Sequence, residues 1–230
     1  MNQQLNNINM NFVRRIKSNV YTKFWKRKSE RLSIDMLYDH WSGMSHKYML
    51  RHGIVCMIDL ANFTTWCDKY SSQIIFQTMT QYNRDVNNIL GKYDQLEKIE
   101  MVGDCIMVIG WVDNNKDVYT QMIGFIKDIL SNISFMKQLF ISESISLRVG
   151  IHEGMLCSGF LSNPRKYQVF GNAINIASRL QSLAHIGTCL GSTSTLGNID
   201  LKETTLLITP KGDYTLKGVS KRIHCSQINI

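Results

Sequence analysis

The centre of the chain reads Lys98-Ile-Glu-Met-Val-Gly-Asp-Cys-Ile-Met-Val-Ile109. Two short apolar runs are broken by Gly103-Asp104, a pair typical of a tight turn between antiparallel strands. The stretch therefore predicts a β-hairpin that carries an acidic residue at its turn. A second acidic residue, Asp59, ends the apolar strand that is predicted over 54–59.

Helices and further strands are predicted on both sides of this hairpin. Apolar residues spaced by three and four predict one helix over 75–89 and another over 118–140. The remaining predicted elements are strands at 145–151 and 155–160, a helix that begins near Asn172, and strands around 188–190, 205–208, 213–216 and 223–228. The order β-α-β-β-α-β with appended strands predicts an α+β fold, a ferredoxin-like sandwich with helices packed on an antiparallel-rich sheet.

Length and composition predict one main domain. With 230 residues, 44% of them apolar, the chain can bury one full core. We predict a basic N-terminal extension over 1–48 and a single folded domain over 49–230. The longest apolar run, 105–112, is far shorter than the roughly 18–20 residues of a membrane-spanning helix. Since 1–11 is polar where a secretory leader would be apolar, we expect a cytoplasmic protein.

The cysteines bear on metal binding and redox state, and the basic residues are concentrated at one end of the chain. Six cysteines are scattered without a CxxC pair, which argues against zinc and indicates reduced thiols. The formal net charge is +8, and most of this excess lies within the first 35 residues. Apolar residues recur there every four positions among lysines and arginines, which predicts a basic amphipathic helix within 12–31.

Three interpretations of this basic helix remain open from the sequence. It could dock on its own domain or on a dimer mate, attach peripherally to an anionic membrane surface, or bind nucleic acid. We expect a regulatory or peripheral membrane contact through 12–31, and no specific nucleic-acid partner.

The two acidic residues at strand ends suggest a metal site. Two carboxylates held a few ångströms apart repel each other unless a divalent cation lies between them. Oxygen ligands favour Mg²⁺ or Mn²⁺. Asp59 or Asp104 alone could equally be a turn residue or a helix cap, so the metal site depends on whether folding brings the two together.

Four segments resemble conserved motifs of class III adenylyl and guanylyl cyclases, the nucleotidyl cyclases. They occur in the family's order and together cover about residues 52–228: Ile58-Asp-Leu-Ala-Asn-Phe-Thr-Thr65, Glu100-Met-Val-Gly-Asp104, Arg148-Val-Gly-Ile-His-Glu-Gly154 and Phe170-Gly-Asn-Ala-Ile-Asn-Ile-Ala-Ser-Arg179. The spacing between the two aspartates is close to the family's usual separation. The resemblance implies a cyclase that makes a 3′,5′-cyclic nucleotide and pyrophosphate from a nucleoside triphosphate.

The resemblance also implies roles for residues of the first two segments. Asp59, Asp104 and the backbone carbonyl of Leu60 would hold two divalent cations. Backbone N–H groups around Asn62 and Phe63 would bind phosphate oxygens, as helix N-termini generally do. The family usually has Gly where Asn62 stands. Because Asn tolerates unusual backbone angles, we expect the turn to form, whereas the phosphate affinity is put in doubt.

Other residues match the family's substrate-binding positions. By resemblance, Asn175 orients the ribose, Arg179 stabilises charge at the α-phosphate and Lys217 contacts the terminal phosphates. In the family, the aspartates and the Asn/Arg pair of one site come from different protomers. Since this chain contains both sets, the resemblance implies a homodimer with two complete sites.

The choice of nucleotide depends on Glu100 and Gln168, which match the family's base-reading positions. A carboxylate only accepts hydrogen bonds and suits the N1–H and amino donors of guanine, so Glu100 favours GTP. Gln168 is an unusual residue here and leaves ATP or a pyrimidine triphosphate open.

Two functions of other classes fit the sequence less well. A non-catalytic cyclase-like module would usually have lost a metal aspartate or the arginine. A diguanylate cyclase or polymerase-like palm would carry a Gly-Gly-Asp/Glu-Glu-Phe type of hairpin, which 99–109 lacks.

Overall fold

The computed structural model describes residues 48–112, 117–132, 146–161, 166–198 and 207–229. The predicted basic helix within 12–31 lies outside them. In chain order, the elements are β1 (Tyr48–Leu60), α1 (Phe63–Lys69), α2 (Ser72–Leu90), β2 (Leu96–Val102), β3 (Cys105–Trp111), α3 (Asp117–Asn132), β4 (Leu147–Leu161), β5 (Lys166–Phe170), α4 (Asn172–Leu183), β6 (Thr188–Ser192), α5 (Thr193–Leu196), β7 (Leu207–Tyr214) and β8 (Ile223–Asn229).

The strands form one sheet in the order β2-β3-β1-β4-β6-β8-β7, with β5 paired to β4 outside this path. The pairs β1/β3, β2/β3, β6/β8 and β7/β8 are antiparallel, and β4/β6 is parallel. This arrangement confirms the predicted α+β class with an antiparallel-rich sheet. Most described residues belong to one compact unit, Met49–Ser158 with Tyr167–Ile230, whereas Tyr48, Gly159, Phe160, Leu161 and Lys166 belong to a second unit.

Helices cover both faces of the sheet because its strands alternate apolar residues toward each side. On one face, Ile54 and Ile58 of β1 pack with Tyr82 of α2 and Phe125 of α3 in the largest core cluster. We call this the α2/α3 face. On the opposite side, a second cluster joins residues of β1, β3, β4 and β5 to α4: Val55, Met107, Ile109, Trp111, Leu156, Val169, Ala173 and Ala177. We call this the α4 face.

One strand replaces the two that were predicted at 145–151 and 155–160. Residues 152–154 separate the two predicted ranges, but β4 runs through them from Leu147 to Leu161. Their polar groups find partners on later elements: His152 Nδ1 is hydrogen bonded to Ser192 Oγ at 2.7 Å, and the Glu153 N–H donates to Thr195 Oγ1 at 3.0 Å. Tertiary hydrogen bonds therefore satisfy the His152 ring and the Glu153 N–H within a continuous strand.

The C-terminal strands also differ from the prediction. Strands at 205–208 and 213–216 were expected, whereas β7 is a single strand whose pairing with β8 shifts register between Pro210 and Gly212. This bulge absorbs the irregular Pro-Lys-Gly sequence without ending the strand. The strand β5 and the short helix α5 were not predicted. The expected continuation of α3 over 133–140 lies outside the described residues.

Among the helices that the structure describes, none combines the length and the apolar character needed to cross a membrane.

Candidate active site

The structure brings the two sequence-predicted carboxylates together. Strands β1 and β3 are paired with Ile58 opposite Ile106, so Asp59 and the β2–β3 turn meet at the same end of the sheet. The Asp59 and Asp104 side chains are close enough to hydrogen bond to each other. The hairpin geometry therefore juxtaposes two acidic groups that are distant in sequence.

The electrostatics of this pair fit a divalent cation. Burial, together with the charge of Asp104 and a hydrogen bond to it, raises the pKa of Asp59 to about 6. Two carboxylates at such short range repel each other, and a cation between them relieves the repulsion. Gln181 Nε2 donates to Asp59 Oδ2 at 3.2 Å, and this contact and the charge of Arg148 act in the opposite direction on the pKa.

The ligands offered to such a cation are oxygens. Cys105 follows Asp104, but burial and the charges of Asp59, Asp104 and Glu100 raise its pKa to about 12. With no cation bound, its thiol is therefore neutral. Throughout the described ranges, no group of three or more His, Cys, Asp or Glu side chains converges. Further ligands would therefore come from main-chain carbonyls, water or a phosphate, which is the pattern of Mg²⁺ sites.

Leu60 can contribute to this site only through its backbone. Its side chain is 2% exposed and packs in the α2/α3 face core. Its carbonyl directly follows Asp59, as the resemblance to the family requires.

The turn that enters α1 forms with Asn where the family has Gly. Asn62 has φ 66° and ψ 17° and is, among the described residues, the one non-glycine with positive φ. The expectation that Asn supports this left-handed conformation is confirmed. The Trp66 N–H donates to the Asn62 carbonyl at 3.1 Å, whereas the Asn62 side chain makes no capping hydrogen bond. Phosphate binding near Asn62 and Phe63 stays a prediction.

Asn175 and Arg179 lie on the exposed side of α4. The buried side of this helix is formed by Ala173, Ile176, Ala177, Leu180 and Gln181. At 100° per residue, Asn175 and Arg179 are rotated about 120° and 160° from Gln181, which contacts Asp59. Within one copy, the Asn/Arg pair therefore projects away from the helix side that meets the carboxylates.

Glu100 reaches the α4 face through a bulge. In a regular strand Lys98 and Glu100 would point the same way, and Lys98 Nζ donates to Asn83 Oδ1 of α2 at 2.6 Å. The β2–β3 register shifts between Lys98 and Glu100, which places Glu100 opposite Met107 of the α4 face cluster. Cross-strand partners project to the same face, so the bulge turns Glu100 away from α2.

The remaining predicted site residues are Gln168 and Lys217. Gln168 is half-buried on β5, next to Val169, which belongs to the α4 face cluster that Ile99 also contacts. Lys217 is exposed in the connection between β7 and β8, next to Gly218 with φ 78°. Roles of these side chains toward a substrate stay predictions.

A family model described as the adenylate and guanylate cyclase catalytic domain matches residues 47–229. The chain belongs to the class III nucleotidyl cyclase family. Among solved structures, this cyclase domain is similar to the adenylyl cyclase CyaB from P. aeruginosa, with TM-score 0.73 and 21% identity over 80% of this chain and 96% of that one. It is also similar to the guanylate cyclase domain of RhGC from Catenaria anguillulae, solved in complex with GTP, with TM-score 0.69 and 22% identity over 80% and 98%.

Curated relatives include both kinds of cyclase. A germination-specific adenylate cyclase of Dictyostelium discoideum is 29% identical over 58% of this chain. Guanylyl cyclase C of Sus scrofa is 29% identical over 70%, and the beta-2 subunit of soluble guanylate cyclase of Rattus norvegicus is 26% identical over 85%. The matched regions span 16%, 15% and 30% of these relatives, so the cyclase domain covers less than a third of each.

Sequence reasoning about this cyclase domain gave no role to two residues that act on Asp59 and to the glycine on which one of them packs. Gln181 donates to it, and Arg148 lies close enough for its charge to act on it. Gly150 lets α4 approach, because a Cβ there would lie 2.2 Å from the Ala177 carbonyl and from the Gln181 nitrogen. One signal could have revealed Gln181: it is a polar residue in the apolar stripe of an amphipathic helix.

Proposed function

We propose that this domain converts a nucleoside triphosphate, preferentially GTP, into the 3′,5′-cyclic nucleotide and pyrophosphate at the interface of a homodimer. The observation that supports this most strongly is the juxtaposition of Asp59 with Asp104, whose mutual repulsion calls for a cation. Family membership supplies the reaction class, since the matching family comprises adenylate and guanylate cyclases.

The groups that would hold two Mg²⁺ or Mn²⁺ ions are Asp59, Asp104 and the backbone carbonyl of Leu60. When bound, such ions acidify the attacking hydroxyl and neutralise phosphate charge. Gln181 donates to one of these carboxylates, Asp59, at 3.2 Å.

The reaction is an intramolecular displacement that needs no protein nucleophile. The ribose 3′-oxygen forms a bond to the α-phosphorus. The bond between the α-phosphorus and the oxygen that bridges to the β-phosphate breaks, so pyrophosphate leaves, and the hydroxyl proton is released to solvent. The protein's task is positioning and charge stabilisation. Asn175 would orient the ribose, Arg179 would donate to the α-phosphate oxygens, and Lys217 with the backbone near Asn62 and Phe63 would bind the remaining phosphates.

A second copy of the chain is needed to complete this site. Asn175 and Arg179 project to the outer side of α4, whereas Asp59 contacts the inner side through Gln181. One copy therefore offers the carboxylates and a separate outward Asn/Arg pair. A twofold dimer would join each set to its complement and make two equivalent sites.

The preference for GTP rests on the placement of Glu100. The β2 bulge directs it to the α4 face, the side of the sheet toward which Asp59 also projects. An ionised carboxylate accepts from the N1–H and amino group of guanine, but faces an unprotonated N1 in adenine. The amide of Gln168, on β5, can donate to the guanine O6.

The direct test incubates the purified chain separately with ATP, GTP, CTP and UTP in Mn²⁺ and identifies the products by chromatography and mass. We expect cyclic GMP as the main product and none from the Asp104→Asn variant. Cyclic AMP as the main product would refute the interpretation of Glu100. Binding of nucleotide without any cyclic product, at concentrations where the chain is dimeric, would indicate a non-catalytic module and refute the proposal.

A further inference from the structure

The last turn of α4 carries a buried amide that contacts the carboxylate pair. Gln181 is 6% exposed, and its Nε2 donates to Asp59 Oδ2 across 122 positions of sequence. Ser182 Oγ donates to the Ser178 carbonyl at 3.0 Å and lies 3.4 Å from Oε1 of the same amide. The Nε2 end of the side chain is therefore directed at Asp59, although Gln181 lies on an otherwise apolar helix side with Ala177 and Leu180.

The backbone around Gln181 is held in place by close packing. A Cβ at Gly150 would lie 2.2 Å from the Gln181 nitrogen and 2.7 Å from its Cα, so α4 rests directly on the β4 backbone at this point. The Ala184 N–H donates to the Gln181 carbonyl at 3.2 Å as the helix ends. A buried side chain with a fixed base and a hydrogen bond to Asp59 has little freedom, which is what a positioning group requires.

The chemistry of an amide suits a metal-binding carboxylate. Its N–H orients Asp59 and favours the ionised form, yet it brings no positive charge that would compete with a cation. Because Gln181 donates to Oδ2, the lone pairs of the other Asp59 oxygen, Oδ1, are directed away from Gln181. With an apolar side chain at this point, Asp59 would lie beside the carboxylate of Asp104 and would lack the Gln181 donor.

We propose that Gln181 is a positioning residue that fixes Asp59 for divalent-cation binding, an inference that rests on the proposed metal-dependent function of the aspartate pair. Gln181 itself is not assigned a contact with the metal or the nucleotide. Partners of this kind, which orient a metal ligand, typically change metal affinity by about 10- to 100-fold when removed.

The test uses Gln181→Met, which keeps the length of the side chain but removes the donor. A second variant, Gln181→Asn, keeps the amide group on a side chain that is too short to reach Asp59. It takes the place of Gln181→Met in the test if that variant does not fold. The matched control is Gln77→Met, which makes the same change on the exposed side of α2. Circular dichroism establishes that each variant is folded, and the electron paramagnetic resonance signal of free Mn²⁺ measures binding of the ion alone.

We expect both Gln181 variants to bind Mn²⁺ about 10-fold or more weakly than the wild type, and the control to bind it like the wild type. In cyclase assays, the Mn²⁺ concentration for half-maximal rate should rise while turnover at saturating Mn²⁺ is largely retained. Wild-type Mn²⁺ affinity in a folded Gln181→Met or Gln181→Asn chain would overturn the proposal.

The two proposals fail in different ways. If the wild type makes cyclic nucleotide but the Gln181 variants keep its Mn²⁺ affinity, the positioning role is wrong and the cyclase function stands. If no triphosphate is cyclised but Mn²⁺ binding still depends on Gln181, the cyclase function is wrong and the positioning role stands.

Discussion

Replacing Asp59 with Asn should make the metal-free protein more stable while abolishing activity. Burial and the nearby Asp104 raise the pKa of Asp59 from its usual 3.8 to about 6. Between these two values, the folded chain binds a proton that the unfolded chain does not. Stability contributed at this site therefore falls as pH rises from about 4 to about 6, and the loss is complete above pH 6.

The size of this effect follows from the pKa change. One pKa unit corresponds to about 1.4 kcal/mol, so the full change would cost about 3 kcal/mol at neutral pH. Because Asp59 is only half-buried, solvent screening reduces the expected cost to about 1–2 kcal/mol. For a chain of this size, 1 kcal/mol changes Tm by about 2–4 °C. Asn has the shape of Asp, can still accept from Gln181 and carries no charge.

Thermal unfolding in EDTA between pH 4.5 and 8 measures this difference. We expect the Tm of Asp59→Asn to exceed that of the wild type by about 2–8 °C at pH 7.5 and to approach it at pH 4.5. Adding Mn²⁺ should stabilise the wild type alone. Asp68→Asn, at an exposed position of α1, is the control and should change Tm little. A variant that melts at or below the wild-type temperature at pH 7.5 would refute the repulsion between Asp59 and Asp104.

Three further substitutions test other parts of the site. Arg179→Ala should lower turnover by about 10²–10³-fold, the usual loss for one transition-state donor, without unfolding the chain; near-normal turnover would remove Arg179 from the mechanism. Glu100→Lys should lower kcat/KM for GTP by about 10- to 100-fold, because it replaces an acceptor with a cation opposite guanine donors; an unchanged ratio of GTP to ATP kcat/KM would exclude base reading by Glu100. Gly150→Ala should cost at least about 1–3 kcal/mol in denaturant unfolding, because the new methyl group overlaps backbone atoms of α4; a wild-type free energy of unfolding would contradict the close packing.

Local sequence signals were sufficient for the carboxylate pair. Asp59 ends an apolar strand and Asp104 occupies a hairpin turn, and antiparallel pairing of β1 with β3 brings such positions together. The α4 motif likewise has Asn175 and Arg179 on one side of a helix, as four-residue spacing predicts. In both cases the geometry follows from the periodicity of one element and its nearest neighbour.

Features that depend on distant partners were not predictable. The continuity of β4 through His152 and Glu153 depends on Ser192 and Thr195, about 40 positions later. The bulge in β2 reverses the direction that simple alternation predicts for Glu100. The contact between Gln181 and Asp59 requires α4 to pack on Gly150. Each depends on tertiary packing that no local pattern encodes.

A mixing experiment tests most directly whether two copies build one site. Asp104→Asn and Arg179→Ala chains should each be nearly inactive alone, since each damages both sites of its own homodimer. After mixing in equal amounts and allowing exchange, half of the dimers pair one chain of each kind, and each of these contains one intact site. We therefore predict recovery of about a quarter of wild-type activity. A mixture that exchanges subunits but stays as inactive as its components would contradict the composite site.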